Sequence, residues 1–140
     1  MFLRTYARVT RLMDKELRSE CGLPAERYEV LLHLWEAKRP LQMHDVADSL
    51  FLSRSGATRF VDRLEEAGLV TRESVPGDRR CVVIALTPRG LETLQEARTI
   101  HHRSVQDHFT SFLTRDEVRS FCSAFTKILR AAEGAAPSDM

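Results

Sequence analysis

Apolar residues recur at helical intervals from the start of the chain. Phe2, Leu3, Tyr6, Val9, Met13 and Leu17 stand mostly three or four apart, which predicts a helix over residues 2–20. Gly22 supplies its stop, and Pro24 opens a second helix that runs to about residue 38 and turns Tyr28, Leu31, Leu32 and Trp35 inward before Pro40 breaks it. A short helix follows near residues 44–50, with Val46, Ala47 and Leu50 inward. Leu52 and Ser53 form a turn, Ser53 is the N-cap of a fourth helix over residues 54–67, and Gly68 ends it.

The period then changes from helix to strand. Residues 69–74 and 81–86 are β-prone, the second run rich in valine and isoleucine. Between them Val75-Pro76-Gly77-Asp78-Arg79-Arg80 carries strong turn chemistry, so the pair makes a hairpin. Thr87-Pro88 opens a long helix to about residue 113, with Leu91, Leu94, Val105, Phe109 and Phe112 among its apolar positions. Thr114-Arg115-Asp116-Glu117 is a capping box for a last helix whose stripe is Val118, Phe121, Cys122, Phe125, Ile128 and Leu129. Residues 134–140 are expected to be a frayed tail. The fold class is mainly α with a small β-hairpin wing.

Composition narrows the chemistry. The 140 residues suit one domain, and 43% hydrophobic with 29% charged residues is ordinary for a soluble globular chain. A net charge of +1 does not advertise a polyanionic partner, so any nucleic-acid role must rest on a local patch. Of the 21 basic residues 18 are arginine, a bias that a GC-rich genome also produces. Cys21, Cys81 and Cys122 are odd in number and lack CxxC spacing, which argues against a disulfide scaffold or a structural zinc site. Arg4, Arg8 and Arg11 interrupt the first stripe, so the N-terminus is neither a signal peptide nor a membrane span, and a cytoplasmic location is expected.

Two helices around a tight turn, followed at once by a hairpin with an arginine-rich tip, make a winged helix-turn-helix. On the fourth helix Ala57, Phe60, Val61, Leu64 and Ala67 share one side. Ser55, Thr58, Arg59 and Asp62 face the other way, flanked by Arg54 and Arg63. Small residues at Ser53, Ser55 and Gly56 permit close approach to a duplex, and the helix-end N–H groups favour phosphate. Taken alone, this is also what a solvated amphipathic helix looks like. The hairpin decides, because an arginine held at its tip can enter a narrow minor groove. Gly77 makes that turn, Arg79 and Arg80 carry the charge, and Asp78 makes sense as the residue that fixes the wing or aims an arginine.

Arg63-Leu64-Glu65-Glu66-Ala67-Gly68-Leu69-Val70-Thr71-Arg72, then Asp78-Arg79-Arg80, then Leu86-Thr87-Pro88-Arg89-Gly90, closely resembles the MarR family of winged helix-turn-helix regulators. In that family an aspartate and an arginine two residues later mark the wing, and a Leu-Thr-x-x-Gly stretch opens the fifth helix. The resemblance covers nearly the whole chain. It implies a homodimer whose terminal helices intertwine, DNA-binding lobes beneath, an inverted-repeat operator, repression as the usual outcome, and a crevice between the two regions for a small-molecule effector. One MarR-type domain is therefore expected, with its DNA-binding lobe at residues 24–90 and dimerisation helices at residues 1–21 and 91–133. Phe2, Tyr6, Phe109, Phe112, Phe121, Phe125 and Ile128 form the expected dimer face, since three amphipathic helices expose more apolar surface than one small lobe covers.

Other chemistries are weakly supported. His101, His102 and His108 have no i, i+4 pairing and no carboxylate cluster, so no metal or cofactor is expected. Some relatives sense oxidants through a cysteine early in the first helix; here that region holds Met1 and Phe2, and Cys122 on its apolar stripe reads as a small hydrophobe. No phosphate loop, GxSxG or HExxH motif supports an enzyme. The alternative to a DNA reader is a winged-helix protein–protein adaptor, which predicts tolerance of substitution at Ser55, Thr58 and Arg80.

Overall fold

A computed structural model describes residues 1–50 and 52–134. The elements run α1 (Phe2–Cys21), α2 (Ala25–Ala37), β1 (Leu41–Gln42), α3 (Met43–Ser49), α4 (Arg54–Glu66), β2 (Val70–Val75), β3 (Asp78–Leu86), α5 (Pro88–His108) and α6 (Arg115–Ala132). The three strands form one antiparallel sheet in the order β1-β3-β2. Most of the expected tail lies outside the described residues.

Local chemistry sets the helix ends. No glycine or proline interrupts α1, and Gly22 closes it in the left-handed region at φ 69°, its N–H donating to the Arg18 carbonyl at 3.1 Å. The start of α2 is satisfied from α1: the Ala25 N–H donates to Asp14 Oδ1 at 2.8 Å. Burial by itself would raise the Asp14 pKa; the Ala25 N–H and the neighbouring Arg18 outweigh it and hold the carboxyl below its usual range. Lys38 ends α2 in the left-handed region, two residues before Pro40.

The core is built around α2, from which Tyr28, Val30, Leu31 and Leu34 are all buried. Leu17 of α1, Leu64 of α4, Ile84 of β3 and Leu94 of α5 are fully buried in the same cluster. Each such leucine or isoleucine contributes about 1.5–3 kcal/mol relative to an exposed one. Trp35, expected inward, is 40% exposed on the rim of α2, where the Arg98 guanidinium covers it at 4.3 Å. Leu32 is only partly buried, and Leu34 and Val30 take the inner places. A helix at the centre of a fold buries several faces, so its sequence carries no single stripe.

Three further expectations are corrected. The long helix ends at His108 rather than near residue 113: Phe109 leaves helical geometry (φ −138°, ψ −68°) and Thr110–Phe112 form one 3-10 turn. The hairpin turn is only Pro76-Gly77, because β3 already starts at Asp78. The sheet also has a strand the pattern did not predict, the two-residue β1, in which Leu41 pairs with Ile84 and Gln42 with Val83.

Candidate nucleic-acid interface

Ser53 caps α4 as its sequence suggests, with the Gly56 N–H donating to Ser53 Oγ at 3.1 Å. A Cβ at Gly56 would meet that same Oγ at 3.2 Å, so the glycine serves the cap as well as the surface. Ala57, Val61 and Leu64 are fully buried, while Arg54, Ser55, Arg59 and Arg63 are exposed on the other side. Ser55 Oγ lies 3.2 Å from Ser53 Oγ. Thr58 donates its hydroxyl to the Arg54 carbonyl at 2.9 Å, which leaves its methyl and lone pairs, not its proton, for a ligand.

The wing is exposed from Pro76 to Arg80. Gly77 turns it at φ 89°. Register is lost next to the turn: Val75 faces Asp78 but Ser74 faces Val82, so Arg79, Arg80 and Cys81 bulge out of the ladder. Asp78 Oδ1 accepts the Arg80 backbone N–H at 2.9 Å. Of the two roles expected for Asp78, the contact seen is to the backbone: it fixes the bulge and through it the point from which the Arg80 side chain departs.

Thr87, expected only at the start of the fifth helix, and Arg72, given no role by the pattern, tie the wing to the rest. Thr87 Oγ1 donates to the Gly68 carbonyl at 2.7 Å and accepts the Gly90 N–H at 2.9 Å, while the Thr87 N–H donates to the Leu69 carbonyl at 3.1 Å. Arg72 on β2 reaches α4 through Asp62 and Glu65. Asp62, expected to face outward with Ser55 and Arg59, is therefore engaged by the wing strand. Two acids three apart on a helix and one arginine on the next strand were the available signal.

The terminal helices show a different surface. No residue of α6 is buried, although its apolar residues form a clear stripe. Phe125 stacks on Phe121 at 4.2 Å and meets Phe2 at 5.4 Å, and Phe121 meets Phe109 edge-on at 5.1 Å. Phe2, Tyr6, Phe112 and Ile128 remain 58%, 62%, 76% and 61% exposed. An apolar cavity of about 490 Å³ opens between α1, α5 and α6, walled by Val9, Met13, Val105 and Phe109 among others. A second, mixed crevice of about 530 Å³ lies between the middle of α1 and the helix-turn-helix, with Tyr6, Arg11, Glu29, Leu52 and Phe60 in its lining.

His101, His108, Cys21 and Cys81 have partners within the chain. His108 Nε2 lies 2.5 Å from Glu16 Oε1, and His101 stacks on Tyr28 at 4.9 Å. The Ser104 hydroxyl and then the His108 ring hold the Glu16 carboxyl below its usual range. Glu16 Oε2 and Ser104 Oγ are nonetheless both buried without a well-formed hydrogen bond, so the bond to His108 is the firm contact. Burial pushes the Cys21 thiol up, and its S–H donates to the Leu17 carbonyl at 3.2 Å. Cys81 Sγ lies 3.3 Å from Gln42 Nε2, and Cys122 is exposed on α6.

The fold and the wing can be set beside known proteins. The sequence profile of the MarR family matches residues 22–80. AbsC, a MarR family transcriptional regulator from Streptomyces coelicolor, is 30% identical, with 95% of this chain and 90% of that one covered at a TM-score of 0.85. This chain belongs to the MarR family. A second MarR family regulator from the same organism, Sco3205, solved in complex with DNA, is 27% identical at a TM-score of 0.84 over 93% of this chain and 82% of its own. CouR from Rhodococcus jostii RHA1, solved with p-coumaroyl-CoA bound, is 26% identical at a TM-score of 0.78 over 98% and 90%. MarR relatives are transcription regulators rather than enzymes. In this MarR chain the Leu86-Thr87-Pro88-Arg89-Gly90 stretch has a physical reason. Thr87 caps α5, Pro88 fills its first position, and a Cβ at Gly90 would lie 2.0 Å from the Leu69 carbonyl oxygen.

Proposed function

We propose that this MarR protein binds an inverted-repeat operator in double-stranded DNA as a homodimer, represses transcription there, and is released by a small-molecule effector. The observation that carries the proposal is the pairing of a Ser53-capped helix, exposed along Arg54, Ser55, Arg59 and Arg63, with a wing whose exposed Arg79 and Arg80 bulge from the ladder beside Asp78. In this reading α4 enters the major groove, Arg80 the adjacent minor groove, and Arg79 follows the phosphates. Residues 24–90 form the DNA-binding lobe. Residues 1–21 and 91–133 supply the dimer contact, which covers Phe2, Tyr6, Phe112 and Ile128 with the same face of a second copy. The DNA complex of Sco3205 supports the first part of the reading.

The 530 Å³ crevice supports the effector, because Leu52 and Phe60 in its wall sit at the turn before α4 and on α4 itself. A ligand there acts on the placement of the recognition helix. The ligand complex of CouR supports a relative of this fold holding a small molecule. The described residues contain no helix long and apolar enough to cross a membrane, in keeping with the cytoplasmic place of action we propose.

Genomic fragments captured by the purified protein test the proposal. They should share an inverted repeat with half-sites about one helical turn apart. On that operator Arg59→Ala and Arg80→Ala should each cost about 1–3 kcal/mol without altering the melting temperature. Exchanging A·T for G·C pairs under the wing should weaken the unaltered protein and leave Arg80→Ala nearly indifferent. Capture without sequence preference, or substitutions at Ser55, Thr58 and Arg80 without effect, would favour the adaptor.

A further inference from the structure

A helix that meets DNA has poor use for acids, yet α4 carries Asp62, Glu65 and Glu66. Asp62 lies on the outward side with Ser55 and Arg59, only one turn beyond Thr58. A carboxylate left free there stands within a screening length of the phosphates that Arg59 and Arg63 would meet, and repels them.

The structure answers this with one residue of the wing. Arg72, on β2, places Nη2 2.5 Å from Asp62 Oδ1 and Nη1 3.1 Å from Glu65 Oε1, and its backbone N–H donates to Glu65 Oε2 at 3.2 Å. One residue thus holds both oxygens of Glu65 and bridges two carboxylates a turn apart on the recognition helix. The Arg72 side chain is only 24% exposed, half the figure for Asp62. Its two terminal nitrogens are spent on α4, so it cannot offer a forked contact to a phosphate without leaving the acids.

We propose that Arg72 is a positioning residue for DNA recognition, which ties the root of the wing to α4 and holds Asp62 and Glu65 away from the duplex. It acts through the acids and through the wing, not by touching DNA. The bridge sits where it can do both: β2 begins four residues after α4 ends, so a contact at Arg72 fixes the angle between the groove-reading helix and the strand that leads to Arg80.

The proposal rests on the DNA-binding reading above, and a double-mutant cycle separates the two. Full-length unaltered protein, Arg72→Gln, the pair Asp62→Asn with Glu65→Gln, and the triple variant are titrated on the operator recovered from genomic capture, with active fractions set by stoichiometric titration. Arg72→Gln should lose on the order of tenfold in affinity or more, the cost of turning like charges toward one another. Neutralising the acids should change little while Arg72 is present, since the amide oxygens still accept from its guanidinium. When Arg72 is absent it should restore the part of the loss due to repulsion, but not the part due to the lost tie. Arg72→Lys, a single point charge, should fall between. Because neutralising two unpaired acids can restore stability as well as affinity, the melting temperature of each variant is measured alongside. Affinity lost at an unchanged melting temperature supports positioning, and loss that only tracks melting overturns it. Additive effects around the cycle would make Arg72 an independent phosphate contact and overturn the proposal, as would unaltered affinity of Arg72→Gln. If the unaltered protein captures no DNA, the functional reading fails instead.

Discussion

Replacing Gly90 by alanine puts a Cβ 2.0 Å from the Leu69 carbonyl oxygen and 3.0 Å from its carbon, with Leu86 Cδ2 at 3.1 Å. Real Cβ contacts stay beyond 3.0 Å, so the start of α5 and the α4–β2 junction must part by about 1 Å at least. The obstacle is backbone and cannot rotate aside. Overpacking of this kind costs about 1–3 kcal/mol. The displaced oxygen also accepts the Thr87 N–H at 3.1 Å, and weakening that bond adds about 1 kcal/mol. The better helix propensity of alanine returns up to about 1 kcal/mol. The two smaller terms roughly cancel, and the net of about 1–3 kcal/mol should lower the melting temperature by roughly 3–12 °C for a chain of this size. Thermal unfolding at one fixed protein concentration measures it. Gly77→Ala is the contrast: nothing lies within 4 Å of its Cβ and only the left-handed φ of 89° is violated, so the loss should be about 1 kcal/mol. A Gly90→Ala protein melting within about 2 °C of the original would refute the packing argument.

Phe125→Asp puts a carboxylate between the Phe121 and Phe2 rings and should yield a monomer, or an unfolded chain, in sedimentation at micromolar concentration. The unaltered chain should sediment there as a stable dimer burying more than about 2,000 Å². Asp14→Ala removes the acceptor of the Ala25 N–H and should cost about 1 kcal/mol in urea unfolding, as loss of a helix cap does. Glu16 titrates lower in the folded chain than its ordinary 4.5, so its contribution is present above pH 4.5 and fades as pH falls through the folded value. Stability curves of Glu16→Gln and the unaltered chain should therefore differ at neutral pH and converge below pH 4.5.

Local chemistry made much of this protein legible before its fold was known. Caps at Ser53, Thr87 and Thr114, stops at Gly22 and Gly68, and the Pro76-Gly77 turn act within four residues of themselves, so their meaning survives without tertiary context. The outward row on α4 was visible for the same reason, since helical period alone sets its face. Decisions between distant segments were not visible. The two-residue β1 has too little length for a pattern and exists because β3 offers it an edge. Trp35 and Leu32 lost the inner places to Leu34 and Val30 because α2 is surrounded, and neighbours rather than period choose among its faces. The long helix stops at Phe109 although its apolar spacing continues, since the aromatic cluster with Phe121 rewards leaving the helix there. Asp14, Arg72 and the Glu16–His108 pair bind partners up to 92 residues away. Periodicity sets which side of an element a residue occupies; only the packed chain decides which charge on another element stands opposite it.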